Sequence, residues 1–359
     1  MNKRRLKKAL NRIIKLPKNK YLFLYISNKL KSSYYKITKS TKVAYPSTIM
    51  LELTNHCNLA CITCPREYEY GKAMDKGQMN VEQAKNIIDE LWPYLDSIGL
   101  TGMGETFIYN DLEEIVDYVK AKNKGIIISV STNAVLPHFI EKVSTVINKI
   151  DTIQVSIDGI ESVYESIRIN SSFQVLDENL RLLSELCRNT KTDLMLNMVV
   201  TKENFRQMPL LVKYAEKVGI RYMDFTLFNL VSVTKIERSY YEFYQSPAFL
   251  EVISKLEDTI NNTPKIIVTS RNFKTDNGFQ KCSFPWNYFY ICWNGFVTPC
   301  CAKPFPKELN FGNVCDNKVL DVLNNNSYRQ FRTLWYNNNT PDFCNKCHFI
   351  DIKPIKENN

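Results

Sequence analysis

Cys57, Cys61 and Cys64 stand in a C-x3-C-x2-C run, Asn55-His56-Cys57-Asn58-Leu59-Ala60-Cys61-Ile62-Thr63-Cys64-Pro65, directly behind the apolar segment Ile49-Met50-Leu51-Glu52-Leu53. Three thiolates on one loop can hold three corners of a [4Fe–4S] cube and leave its fourth iron open to a small molecule. Zinc bound by His56 and the same cysteines is the alternative. Adjacent His56 and Cys57 make awkward tetrahedral ligands, and zinc sites more often use paired C-x2-4-C elements. A second set lies near the other end of the chain, as Cys282-x12-Gly295-x4-Cys300 followed by Cys344-x2-Cys347. Four thiolates there close a second cube with no open iron, or a structural zinc knuckle. Cys301 competes with Cys300 for one corner.

Elements of alternating type must position these residues. Short β-branched runs at Ile49–Leu53, Ser97–Leu100, Ile126–Ser131, Thr152–Ile157, Leu194–Val200 and Tyr222–Phe228 are separated by helical patterns over 81–95, 111–122, 137–149, 173–189 and 205–218. Strand alternating with helix predicts parallel β/α units, and the expected architecture is α/β, a partial (β/α)6 TIM-like barrel. Such folds gather reactive residues at the C-terminal ends of their strands. A helical connector is expected over 236–263. From about 264 the alternation gives way to aromatic residues, Pro, Gly, Asn and clustered cysteines, as in a small C-terminal iron–sulfur domain too slight to hold together on its core alone. The expected division is therefore an arm over 1–45, a barrel over 46–235, the connector over 236–263 and a cysteine-rich domain over 264–359.

Composition narrows the classes. The 359 residues are 44% hydrophobic, enough for a sizeable core, and no apolar run is long enough to predict a transmembrane helix. The basic start lacks an apolar core with a cleavage site, so a cytoplasmic location is expected. Eleven cysteines in such a chain read as metal ligands before disulfides. Residues 1–42 hold 14 Lys and Arg and no acid, while the whole chain is +10, so the remainder is mildly acidic. Leu6, Leu10, Ile13 and Ile14 at helical spacing, then Tyr21-Leu22-Phe23-Leu24-Tyr25-Ile26, suit a basic amphipathic helix. It would lie on a membrane surface or an anionic partner, or pack as a solvated extension. No base-stacking or groove-reading motif accompanies the charge, so no specific nucleic acid is expected.

The motifs at the strand ends carry a family likeness. Cys57-x3-Cys61-x2-Cys64 after the first strand resembles the signature of the radical S-adenosylmethionine (radical SAM) enzymes. Gly102-Met103-Gly104-Glu105 is similar to that family's G-G-E segment for the methionine amino group, although Thr106 follows where Pro is frequent. Ser131-Thr132-Asn133-Ala134 resembles its T-N-G element near the ribose, and Ser156-Ile157-Asp158-Gly159 its S-I-D-G element. Arg168 lies where relatives place an arginine for the cofactor carboxylate. The resemblance implies S-adenosylmethionine on the open iron of a [4Fe–4S] cluster, reductive cleavage to a 5′-deoxyadenosyl radical, hydrogen abstraction from substrate, and an electron donor such as flavodoxin or ferredoxin. Thr63 replaces an aromatic residue that covers the adenine in relatives, which shifts that contact to Phe107 or to later backbone.

The C-terminal set, with Gly295-Phe296-Val297-Thr298-Pro299-Cys300-Cys301 and Gly312-Asn313-Val314, resembles a shortened SPASM/twitch-type auxiliary-cluster domain. It implies a second [4Fe–4S] cluster on Cys282, Cys300, Cys344 and Cys347. Cys187, inside a predicted helix, reads as a buried apolar residue. Cys292 and Cys315 are candidate hydrogen donors to a substrate radical. The short domain and the absence of a leader-binding domain of roughly 80 residues favour a small-molecule or sugar-type substrate, oxidised or epimerised at a carbohydrate-like alcohol. The alternative is a peptide- or protein-modifying maturase, and the non-enzyme alternative a metal-binding redox or structural protein.

Overall fold

The computed structural model describes residues 20–269 and 282–348, together with Ile14, 275–276 and 353–354. Leu6, Leu10 and Ile13 lie outside the described residues. The strands, in chain order, are β1 Thr48–Leu51, β2 Ala60–Cys61, β3 Ser97–Gly99, β4 Ile127–Thr132, β5 Thr152–Ser156, β6 Arg168–Ile169, β7 Asp193–Val200, β8 Tyr222–Leu227, β9 Ile267–Val268, β10 Thr275–Asp276, β11 Phe289–Ile291, β12 Val297–Thr298 and β13 Lys353–Pro354. The chain forms two compact units. One comprises Met1–His56, Met74–Val130 and Cys282–Phe343; the other comprises Cys57–Ala73, Ser131–Lys281 and Cys344–Asn359.

In the first unit, β1 pairs in parallel with β3, and β3 with β4. On its other edge β1 pairs in parallel with β11, with Ile49 opposite Phe289, and β12 then pairs antiparallel to β11. The cysteine-rich tail thus supplies two strands, an extension that the loss of alternation after 264 does not signal. Ile49, Leu51, Ile98, Ile128 and Val130 are buried, as are Ala84, Ile88 and Leu91 of the Val81–Leu91 helix and Ile115, Val116 and Val119 of the Leu112–Lys122 helix. The first of these helices starts where Asn80 accepts the Glu82 N–H.

In the second unit, β5, β7, β8 and β9 pair in parallel. Their outward residues, such as Ile153, Val155, Leu196, Met198, Met223 and Phe225, are buried. The Phe173–Arg188 helix packs on β7 and the Met208–Lys217 helix on β8, burying Leu176, Leu180, Leu183, Leu211 and Val212. Each such leucine contributes about 1.5–3 kcal/mol. Cys187 is buried, as expected of a thiol on the inner face of its helix. The expected helix over 137–149 shrinks to Phe139–Ser144, preceded by His138 at φ +56°. The 236–263 connector is a 3-10 stretch, Arg238–Gln245, followed by an α-helix, Pro247–Asn261, that Ser246 caps.

Candidate active site

The cysteine loop is held in the second unit by a two-residue ladder. β2 pairs antiparallel to β6, with Cys61 opposite Arg168, and the Ile62 N–H donates to the Ile167 carbonyl at 2.9 Å. The Tyr68 hydroxyl donates to the Ile62 carbonyl at 2.6 Å. This register places Arg168 Nη1 3.8 Å from Cys61 Sγ. Its Nη2 pairs with Asp158 Oδ2 at 2.8 Å, and the Asp158 side chain is 0% exposed. Asp158 Oδ1 accepts the Val199 N–H at 2.8 Å, and its carbonyl accepts from Asn204 Nδ2 at 2.9 Å. The enclosed Asp158 carboxylate thus holds the Arg168 guanidinium beside the cysteine loop.

Asn133 Nδ2 donates to Asn58 Oδ1 at 2.8 Å and lies 3.9 Å from Cys57 Sγ, so the end of β4 reaches the same loop. Ala134, where the resembled motif has glycine, adopts φ +58°. A left-handed conformation costs an L-residue about 1–2 kcal/mol, which explains glycine as the family's choice there. Ser131 lies in β4, and Ser156 ends β5 opposite Asn197.

Burial pushes the Cys61 thiol up to about 12, partly offset by Arg168, and the Cys64 thiol up to about 11, offset by the Arg66 backbone N–H. Each of the two would be raised further by charge on Cys57. Burial alone would lower the Arg168 guanidinium, but the charges of Asp158 and then Cys61 more than reverse that. Three mutually sensing thiols beside one buried guanidinium and one amide suit an anionic cluster bound through thiolate. Among the described residues, no three His, Cys, Asp or Glu side chains are grouped closely enough to hold a single metal ion.

In the first unit the Gly102–Glu105 turn lies against the strand that leads into the cysteine loop. A Cβ on Gly104 would stand 2.4 Å from the Thr54 carbonyl oxygen and 2.5 Å from that of His56. The Glu105 N–H donates to His56 O at 2.8 Å. Only glycine permits that approach. Glu105 itself is 2% exposed and accepts the Phe107 N–H. Phe107 is also 2% exposed and packs in the core.

Glu52 escaped sequence reasoning. Buried at the end of β1, its Oε1 accepts from the Met103 N–H and the Tyr290 hydroxyl, each at 2.8 Å, and its Oε2 from the Trp293 N–H at 3.2 Å. One carboxylate thus ties the Gly102–Glu105 turn to β11. An acid inside an otherwise apolar strand was the available signal. In the second unit, Asn197 and Asp224 fall in one row across β7 and β8, opposite Ser156. Thr226 donates to Asn197 Oδ1 at 2.8 Å. Polar residues at alternate positions of apolar strands give that face away.

The second cysteine set divides between the units. In the first, Cys282 senses charge on Cys300, and the Ala302 N–H lies 3.3 Å from Cys300 Sγ. Cys301 interacts with both the Cys300 thiol and the Tyr288 hydroxyl. In the second, the Cys347 N–H donates to the Cys344 carbonyl, Asn229 Nδ2 lies 3.7 Å from Cys347 Sγ, and the Tyr241 hydroxyl donates to the Lys346 carbonyl at 2.6 Å. Cys292 is 1% exposed with its thiol directed at the Pro304 carbonyl, so as a hydrogen donor it would need the surrounding core to open. Cys315 is exposed, in the loop facing Gly295.

The α/β fold and the two cysteine sets are those of an iron–sulfur protein, and two domain families match the chain. The model described as the radical SAM superfamily matches residues 51–215, and the SPASM iron–sulfur cluster-binding domain matches 282–348. The chain thus carries a radical SAM domain over residues 51–215, on an α/β fold with a parallel-strand sheet of the partial-barrel type, and a C-terminal SPASM domain over 282–348. Its cofactors are S-adenosylmethionine, a [4Fe–4S] cluster and auxiliary iron–sulfur.

The chain is 24% identical over 324 residues to the tungsten-containing aldehyde ferredoxin oxidoreductase cofactor-modifying protein of Pyrococcus furiosus, covering 84% of this chain and 87% of that one. It is 31% identical over 175 residues to the mycofactocin maturase MftC of Mycolicibacterium smegmatis, covering 48% of this chain but only 43% of the maturase. Streptococcus suis SuiB, solved bound to precursor peptide SuiA, shares the fold at 17% identity with a TM-score of 0.63, over 82% of this chain and 68% of that one. No sugar-modifying enzyme stands among these three, so the expected carbohydrate-like alcohol loses its support. No helix among the described residues is long and apolar enough to cross a membrane.

Proposed function

We propose that this enzyme is a maturase that modifies a peptide or protein by radical chemistry. The observation that carries the reading is the pairing, on one chain, of the Cys57–Cys64 loop with a second cysteine domain, in a protein whose relatives include a named maturase. Cys57, Cys61 and Cys64 hold the first cluster, and Cys282, Cys300, Cys344 and Cys347 hold the auxiliary one. Bound there, the first cluster and S-adenosylmethionine supply the radical that takes hydrogen from substrate.

The chain's own residues do the rest. Arg168 offers a fixed cation beside the cysteine loop, and Asp158 holds it in place. Asn133 orients the loop through Asn58. The Gly102–Glu105 backbone, kept by Glu52, presents N–H and C=O groups to a bound methionine moiety. Ser156, Asn197 and Asp224, with Thr226 two residues on, form a polar strand face that suits the amide and hydroxyl groups of a peptide.

The test is anaerobic reconstitution followed by incubation with short peptides encoded beside the gene and, in parallel, with sugars and sugar nucleotides. A peptide mass change with stoichiometric 5′-deoxyadenosine, lost in Cys61→Ala, is expected. A modified sugar with every peptide unchanged would reverse the assignment.

A further inference from the structure

We propose that the outer face of the Lys20–Ile37 helix docks this enzyme on an anionic lipid surface. The inference is independent of the maturase reading. Phe23, Ile26, Leu30, Tyr34 and Ile37 are 72, 49, 66, 62 and 81% exposed. At 3.6 residues per turn they fall within one arc of about 80° along the helix. The helices of a soluble domain ordinarily turn such a stripe inward.

Here the opposite face is the seated one. The Tyr25 hydroxyl donates to Asp96 Oδ1 at 2.6 Å, and Lys29 pairs with Asp96 Oδ2 at 2.5 Å. Asn28 exchanges two hydrogen bonds with the Tyr45 backbone, at 2.9 and 3.0 Å. Tyr21 packs on Trp92 with ring centroids 4.5 Å apart. The helix is therefore fixed to its unit by aromatic and polar contacts, while its exposed apolar stripe points away.

Charge selects the occupant. Lys20 and Lys31 flank the stripe on one side and Lys36 on the other, and residues 1–42 hold 14 basic residues and no acid. A second copy of the chain would bring like charge against like charge. An acidic peptide would satisfy the lysines and leave five large apolar side chains in water. A bilayer with anionic headgroups satisfies both, because the stripe enters the acyl boundary while the lysines reach the headgroups. The helix, about 27 Å long, would lie flat in that interface.

The full chain is tested by flotation with vesicles of phosphatidylcholine containing phosphatidylglycerol, against phosphatidylcholine alone. Binding to the anionic vesicles only, weakened by salt, is expected. Phe23→Ser with Leu30→Ser should lower the partition coefficient about tenfold to a hundredfold, and Lys20→Glu with Lys31→Glu about thirtyfold or more. The serine variant should keep its rate of S-adenosylmethionine cleavage, which shows that it is folded. Failure to bind anionic vesicles would overturn the proposal. So would unchanged binding by the serine variant, or a dimer in sedimentation that the serine variant splits.

Discussion

Replacing Glu52 with alanine strips the acceptor from three donors at once: the Met103 N–H, the Trp293 N–H and the hydroxyl of Tyr290, which is 0% exposed. A buried donor left unmet costs about 1–3 kcal/mol, so the three together lose at most about 9 kcal/mol, the Met103 and Trp293 N–H groups being only part-buried. Removing the carboxylate also removes the cost of burying its charge, which brings the expected net destabilisation to about 3–5 kcal/mol. Glu52→Gln keeps one oxygen but turns an NH2 toward a donor, for a loss of about 1–3 kcal/mol. Tyr290→Phe deletes one donor and should cost about 1 kcal/mol. Urea unfolding of the three variants measures the series. Because the Met103 N–H belongs to the turn proposed for the methionine moiety, Glu52→Ala should also raise the KM for S-adenosylmethionine by about tenfold or more, read from 5′-deoxyadenosine formation. An alanine variant as stable as the parent with an unchanged KM refutes the reasoning.

Arg168→Gln leaves Asp158 charged and enclosed, and should destabilise the second unit by about 3–5 kcal/mol. Adding Asp158→Asn should recover much of that, as a double-mutant cycle in denaturant would measure. Tyr109, whose hydroxyl donates to the Met79 carbonyl at 2.9 Å, is raised to about 12 by burial and then by Asp111 and Glu114. Its phenol stays protonated in the fold where the unfolded chain has lost the proton, so stability falls as pH climbs from 10 toward 12. Tyr109→Phe should flatten that decline in alkaline unfolding curves.

The six strands of the β/α units were legible because each is an apolar, β-branched run buried on its outer face, and helices of opposite period separate them. The cysteine loop and the polar strand ends were legible because they interrupt those runs at fixed places. Other features left no such mark. β2 and β6 are two residues each, too short to show a period, yet their register sets Arg168 beside Cys61. β11 lies in a stretch whose aromatic and turn residues mask its strand character. Glu52 reads as a lone charge until Met103, Tyr290 and Trp293 surround it. The depth of Asp158 is a tertiary fact, since Val199 and Asn204 reach it from about 40 residues away.

The pairing of β1 with β11 has a consequence for synthesis. Ile49 and Phe289 are partners separated by roughly 240 residues. At ribosomal speeds of about 5–20 residues per second, the first strand waits on the order of 10–50 s for that neighbour. Throughout that time one edge of β1 offers unpaired N–H and C=O groups, the kind of edge that recruits other chains. A nascent or truncated chain ending before Ile291 thus already contains the Cys57–Cys64 loop, yet lacks the strand that closes this edge.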